Sequence, residues 1–301
     1  MPYDMIIIGG GCAGLGASIY ASRYQMKVLI LSDTLGGTIT QTHLVENYPG
    51  FTSVSGQELA NHLTEHAKAN DVEMKIGNRV SSVTKEGDIF KIAYGQETFE
   101  AMSVLVATGT TYRKLGVPGE EEFSSRGVSY CATCDAGFFR SKDVIMVGGG
   151  DSAVKESLIL AEHAANVTIV YRKDKFTKAE PINLKRMEAT PNISAKFNTN
   201  VVEILGEQTV TGVKLDTGEE MAVQGVFIEI GRIPLTDFVN ELGVEKNQKG
   251  EIVIDTMSRT NIPGFYAAGD VSNTEWKQAI VSVSEGTKAA YSAFEHTRNA
   301  C

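Results

Sequence analysis

The stretch Asp4-Met5-Ile6-Ile7-Ile8-Gly9-Gly10-Gly11-Cys12-Ala13-Gly14 decides the fold. Its unbroken apolar run fits a strand covered on both faces, as in a parallel sheet, rather than the alternation of a half-exposed strand. Gly9, Gly11 and Gly14 stand at the spacing G-x-G-x-x-G. In that arrangement the first glycine turns the chain, the second lets backbone approach a pyrophosphate, and the third lets the following helix pack closely. The spacing predicts a helix over 13–24, whose first N–H groups point at the phosphates, and a second strand over 27–31.

The pattern returns at Val144-Ile145-Met146-Val147-Gly148-Gly149-Gly150-Asp151-Ser152-Ala153, with Ala153 in the third small position. A helix is predicted over 152–163 and a strand over 167–171. The two copies begin 139 residues apart, Gly9 to Gly148. One such motif is weak evidence; two, each followed by helix and strand in order, predict two dinucleotide sites. They differ where a ribose is read. At the same offset from the first glycine, 23 residues on, Ser32-Asp33 begins in copy one and Tyr171-Arg172-Lys173 in copy two. A carboxylate suits a free ribose diol and cations suit a 2′-phosphate. The first site therefore reads as one for FAD or NAD, and the second leans to NADPH.

Of four cysteines, two form Cys131-Ala132-Thr133-Cys134, followed by Asp135. A helix beginning here puts both sulfurs on one face. A helix N-terminus lowers thiol pKa, and thiolate is the form that attacks a disulfide. Asp135 can give or take a proton. A zinc site would need two more soft or imidazole ligands, and no second C-x-x-C exists; no metal is expected.

The remainder of the chain sets limits. Its 301 residues suit two domains, and 42% apolar with 22% charged residues is ordinary for a folded soluble protein. A net charge of −9, with no basic run, argues against nucleic-acid and anionic-membrane partners. The apolar N-terminus has Asp4 in front and five glycines within it, so it is not read as a signal peptide. So few cysteines, two of them a lone C-x-x-C, point to a reducing compartment, and a cytoplasmic location is expected.

Taken together, the two units and the dithiol resemble the low-molecular-weight thioredoxin reductases. Other matching pieces are Gly36-Gly37, Glu46-Asn47-Tyr48-Pro49-Gly50, Ala107-Thr108-Gly109, Gly231-Arg232-Ile233-Pro234 and Gly264-Phe265-Tyr266-Ala267-Ala268-Gly269-Asp270. The resemblance spans nearly the whole chain. It implies an α/β protein with two Rossmann-like dinucleotide-binding domains, the second inserted into the first. The FAD domain would comprise 1–112 and 244–301, and the NAD(P)H domain carrying the dithiol 113–243. Crossings at Leu115 to Pro118 and near Leu242-Gly243 would act as hinges, about which the insert rotates.

The resemblance also assigns roles. Gly9, Gly11, Gly14, Ser32, Asp33, Gly37, Thr38, Gln41, Asn47, Thr108, Gly109, Gly269, Asp270, Lys277, Gln278 and Ala279 would hold FAD. Gly148, Gly150, Asp151, Ser152, Ala153, Arg172, Lys173 and Lys178 would hold NADPH. Cys134 would be the thiol next to the flavin, Cys131 the one that attacks the partner disulfide, and Asp135 the general acid/base. The implied protein is a homodimer that passes electrons from NADPH through FAD and the dithiol to thioredoxin or a similar small dithiol protein. The family usually carries His-Arg-Arg with a further Arg where this chain has Tyr171-Arg172-Lys173 and Thr177. Arg forks a phosphate and Lys does not, so a moderate NADPH preference is expected. Relatives that use NADH, ferredoxin or a deazaflavin, or that oxidise a small-molecule dithiol with oxygen, are the alternatives.

His62-Leu63-Thr64-Glu65-His66 matches an inverted zinc-protease motif. It falls on a predicted helix over 56–70 and is read as a solvated face. Cys12 is read as a small filler, Cys301 as a plain chain end with a relay thiol as the alternative, and Trp276, the only tryptophan, as a core residue with a shield over the flavin as the alternative.

Overall fold

The computed structural model describes residues 2–300, with side chains through Arg298; Cys301 lies outside the described residues. The chain divides into two compact units, Met1–Thr111 with Ile233–Cys301, and Tyr112–Arg232. It passes between them along two paired strands, Thr110–Tyr112 and Arg232–Pro234. The return crossing thus comes before residues 233–243, which the sequence reading placed in the insert. The physical reason is packing: Val239 is fully buried with Phe238 and Leu242 in the core of the first unit.

In the first unit a five-stranded parallel sheet runs Phe265–Ala267, Val104–Val106, Met5–Gly11, Val28–Gly36, Glu73–Ile76. In the second, the order is Val128–Ser129, Gly225–Ile228, Asp143–Val147, Asn166–Tyr171, Ile193–Phe197, again parallel. Each unit also carries a three-stranded antiparallel meander: Val80–Glu86, Ile89–Tyr94 and Glu97–Ala101 between the third and fourth sheet strands of the first, and Val201–Gly206, Val210–Leu215 and Glu220–Ala222 between the fourth and fifth of the second. The units are two copies of one fold. Met5, Ile6 and Ile7 have no exposed surface, and neither do Ile145 and Met146, as a sheet covered on both faces requires.

Two helices follow the glycine turns, Cys12–Arg23 and Asp151–Ala161. In the first unit the long helix Ala279–Ala300 lies against Cys12–Arg23 so closely that a Cβ on Gly286 would sit 2.1 Å from the Ala13 carbonyl oxygen. That approach brings the chain from Gly269 to Ala279 beside the first turn. Among the described residues no helix is long and apolar enough to cross a membrane.

Candidate active site

The glycines of both turns separate into two kinds. A Cβ on Gly9, at φ +113°, would meet the Ala107 carbonyl oxygen at 2.3 Å, and one on Gly148, at φ +144°, the Glu229 carbonyl oxygen at 2.1 Å. These positions are glycine because the neighbouring strand leaves no room and the backbone is left-handed. A Cβ on Gly14 would lie 2.0 Å from the Gly9 carbonyl oxygen. Its counterpart Ala153 is fully buried, so in the second unit the same position accommodates a methyl group. The middle glycines are different. A Cβ on Gly11 would make only ordinary contacts, at 3.7 and 3.8 Å, and one on Gly150 would meet nothing within 4 Å. Both backbones are extended, with φ −85° and −84°. The protein's own packing does not require glycine there, and without a Cβ the backbone is open to close approach from outside. Neither helix start has a side-chain cap, so the first N–H groups remain directed at the cradle.

Around the first turn, Ser32 Oγ accepts a hydrogen bond from Gly10 N (3.0 Å) and donates to the Thr34 carbonyl (2.7 Å). Asp33 pairs with Arg79 at 2.7 Å. Gly37, at φ +65°, opens the 3-10 turn Gly37–Gln41 that carries Thr38 and Gln41, and packs on Gly11. Asn47 Nδ2 donates to Gln278 Oε1 at 3.1 Å, joining residues 231 positions apart, with Ala279 beginning the last helix. Thr108 Oγ1 donates to the Leu235 carbonyl (2.8 Å), Gly109 has φ +64°, and the buried Thr110 hydroxyl has no hydrogen-bond partner. Gly269 N donates to Glu285 Oε2 at 2.7 Å. Lys277 Nζ donates to the carbonyls of Asp270 and Ser272, both at 2.7 Å, and pairs with Glu251 at 2.9 Å. Its three donors are therefore engaged by the protein, which makes it a brace for the Asp270 loop. Cys12 opens the first helix, and burial, with Asp270 nearby, pushes its thiol up to about 12, which suits an inert filler. Trp276 is 65% exposed, so its reading as a core residue is corrected.

At the second turn a β-bridge sets Lys178 against Gly150. Arg172 and Lys173 leave the end of the Asn166–Tyr171 strand and are exposed. Below them the Tyr171 ring occupies the space that a Cβ on Gly149 would need, 2.4 Å away, and stacks on Phe176. Asp151 is engaged within the protein: its carboxylate accepts from Glu180 N (2.7 Å) and Asn183 Nδ2 (2.9 Å) and pairs with Lys155 at 2.8 Å. Burial would raise its pKa, but Lys155, Asn183 and Glu180 N together hold it low. Ser152 is exposed in the first helical turn.

Cys131 and Cys134 are joined in a disulfide. Cys131 caps the short helix Ala132–Asp135, its Sγ accepting from Cys134 N at 3.2 Å. Ser129, which the sequence reading missed, ties the site together: its hydroxyl donates to Asp135 Oδ2 at 2.6 Å and accepts from Cys131 N at 3.1 Å. Tyr130 donates to the buried Glu120 (2.7 Å), whose carboxylate also accepts from the amides of Leu115 and Gly116. In the first unit His62 stacks on Phe51 at 5.6 Å, as a helix-face residue.

Comparison with known proteins bears on this arrangement. A model of the family described as pyridine nucleotide-disulphide oxidoreductase matches residues 3–286. The chain is 40% identical over 298 residues to a thioredoxin reductase of Treponema pallidum, covering 97% of this chain and 96% of that one. It is 36% identical over 301 residues to an alkyl hydroperoxide reductase protein of Staphylococcus aureus, of which it spans 59%. Among solved structures, thioredoxin reductase of Lactococcus lactis superposes with a TM-score of 0.95 at 38% identity, covering 99% of each chain.

Proposed function

The chain belongs to the pyridine nucleotide-disulphide oxidoreductase family, and from that premise we propose that it is a cytoplasmic, homodimeric, NADPH-dependent thioredoxin reductase. The carrying observation is the pair of turns in which only the middle glycine, Gly11 or Gly150, is left without a packing reason. The Met1–Thr111 and Ile233–Cys301 unit is the FAD domain, and Tyr112–Arg232 the NADPH domain.

FAD would be held by Gly9, Gly11 and Gly14 at the pyrophosphate, by Ser32, Asp33, Gly37, Thr38 and Gln41 toward the ribose, and by Asn47, Thr108, Gly109, Gly269, Asp270, Gln278 and Ala279 along the remainder. Lys277 would act from behind Asp270. The buried, partnerless Thr110 hydroxyl offers a further polar contact. NADPH would lie on Gly148, Gly150, Ser152 and Ala153, with Arg172, Lys173 and Lys178 at the 2′-phosphate and Asp151 fixing the loop that carries Lys178. Together these groups would supply the two electrons that open the Cys131–Cys134 disulfide.

The chain's own residues then do the exchange. Cys131 thiolate, favoured by the amides of the helix it caps, attacks one sulfur of the thioredoxin disulfide and releases the other. Cys134 attacks the resulting mixed disulfide, freeing the reduced partner and restoring the intramolecular bond. Asp135, held by Ser129, moves the proton that each leaving thiolate takes up.

The test is anaerobic stopped flow with either nucleotide, followed by turnover with thioredoxin. Reduction by NADPH faster than by NADH, with thioredoxin dithiol formed, supports the reading. Equal rates make the basic residues a solvated face. No reduction by either nucleotide moves the donor to ferredoxin, deazaflavin or a small-molecule dithiol. Light scattering giving a particle of about twice the chain mass supports the dimer.

A further inference from the structure

Glu156 lies on the helix that follows the second glycine turn, on the side facing the dithiol. Its Oε2 accepts from the backbone N–H of Ala132 at 3.4 Å, the first residue of the helix that Cys131 caps. Behind it is a second carboxyl. Glu229 follows the Gly225–Ile228 strand, its side chain is 4% exposed, and its Oε2 is buried without a hydrogen-bond partner. The Arg232 guanidinium stands 3.8 Å from that oxygen and 4.2 Å from the centre of the Tyr112 ring, and Tyr112 packs on Tyr130, the residue before Cys131. Glu229 and Arg232 are the charged groups felt by Glu156, Tyr112 feels all three, and on the contacted helix Ala132–Asp135 the Asp135 carboxylate is held by Ser129. On the Glu156 helix itself, Asp151 and Lys155 pair with each other.

We propose that Glu156 is a positioning residue for the dithiol: through Ala132 N it fixes the first turn of the Cys131-capped helix, and its charge sets the acidity of the Cys131 thiol one residue away. This rests on the reading of Cys131 as the attacking thiol. Burial and the like charge of Glu229 push Glu156 up to about 8, and burial raises Glu229 as well. Near neutral pH Glu156 is therefore mainly uncharged, and a thiolate one residue from its contact point meets no opposing charge. Above that range Glu156 ionises, and a nearby like charge disfavours a second anion. The alkaline side of the pH profile is where the two groups compete.

Two substitutions separate charge from structure. Glu156→Gln keeps an acceptor oxygen for Ala132 N and removes the titration; Glu156→Leu removes both. The reduced full-length protein is alkylated with iodoacetamide between pH 6 and 10, and the Cys131 peptide is quantified by mass spectrometry. We expect a broadened, two-group curve in the parent and a single-group curve in E156Q, with the apparent thiol pKa lower by about one unit. Amide exchange at Ala132 should quicken about tenfold in E156L and stay near the parent rate in E156Q. A Cys131 curve identical in parent and E156Q overturns the proposal, as does Ala132 exchange unchanged in E156L. If neither Cys131 nor Cys134 alkylates in the reduced parent, the reading of the dithiol itself has failed; a reactive Cys131 indifferent to E156Q removes only this inference.

Discussion

The two glycine turns share a fold and differ in what surrounds them. In the first unit the helix is drawn so close that the third position must be glycine, since a Cβ on Gly14 would sit 2.0 Å from the Gly9 oxygen; in the second the same position is a buried Ala153. The first helical turn of the first copy carries no acid, whereas the second carries Asp151, spent on its own loop. The stretch after the second strand differs most. From Gly37 to Ser55 the first copy inserts a 3-10 turn and the segment bearing Asn47 before its next helix begins at Gly56. The second copy reaches Pro181 from Tyr171 through a short exposed loop with Arg172, Lys173 and Lys178. One scaffold thus offers a long polar embrace in one place and an open basic edge in the other. A group bound for the life of the protein suits the former, and one exchanged at every turnover suits the latter.

The strongest way to break this comparison is to remove the chemistry found in only one unit. Cys131→Ser or Cys134→Ser should abolish disulfide turnover and leave flavin content and flavin reduction by nucleotide intact, since both turns remain. Substantial thioredoxin turnover by either variant would mean the dithiol has been misassigned.

The next contrast lies within the second turn. Gly148→Ala forces a Cβ into the Glu229 carbonyl at a left-handed φ and should cost more than ~2 kcal/mol, seen as a lowered unfolding midpoint in urea. Gly150→Ala should change stability by less than ~0.5 kcal/mol while weakening NADPH binding by isothermal calorimetry. Equal stability losses would deny that the middle glycine is there for a ligand.

Arg172→Ala with Lys173→Ala sharpens the difference in ribose reading. A charge-assisted contact to phosphate is worth about 1.5–3 kcal/mol, or ten- to hundredfold in affinity. The variant should lose that much for NADPH, little for NADH, and show a flatter salt dependence.

The smallest effect concerns pH. Glu156 titrates near 8 in the folded protein, above the ordinary glutamate range near 4.3. Its contribution to stability is complete below that ordinary range and is lost as pH rises through about 8. The midpoint of thermal unfolding should fall by a few degrees between pH 6 and 9, and E156Q should fall less. An equal fall in both would place the pH dependence elsewhere.

Much of this was legible in local sequence. The glycine turns and their helices, the strand after each, and the dithiol beside Asp135 all stand where the spacing predicts. The second strand runs further than expected, Val28–Gly36 rather than 27–31, because Gly10 and Gly11 continue the pairing with Leu35 and Gly36 past an irregularity after Ile8. What was not legible depends on residues far apart in the chain. The Val128–Ser129 strand is two residues long and exists through its pairing with Val226 and Phe227. Glu156, Glu229 and Arg232 meet only when the strand Gly225–Ile228 is laid beside Asp143–Val147. A glutamate amid an apolar helix, as with Glu285, is a signal that could have been followed; an orphaned carboxyl oxygen has no trace in sequence.

The central claim is that nucleotide on the second unit and dithiol on the same unit serve one electron path. It is tested most directly by anaerobic titration of the unmodified protein with NADPH, recording the flavin absorbance and counting free thiols at each step. Bleaching of the flavin band should accompany the appearance of two new thiols per chain, assigned to Cys131 and Cys134 by mass spectrometry. A flavin band that NADPH leaves unchanged, or bleaching with no new thiols, would contradict it.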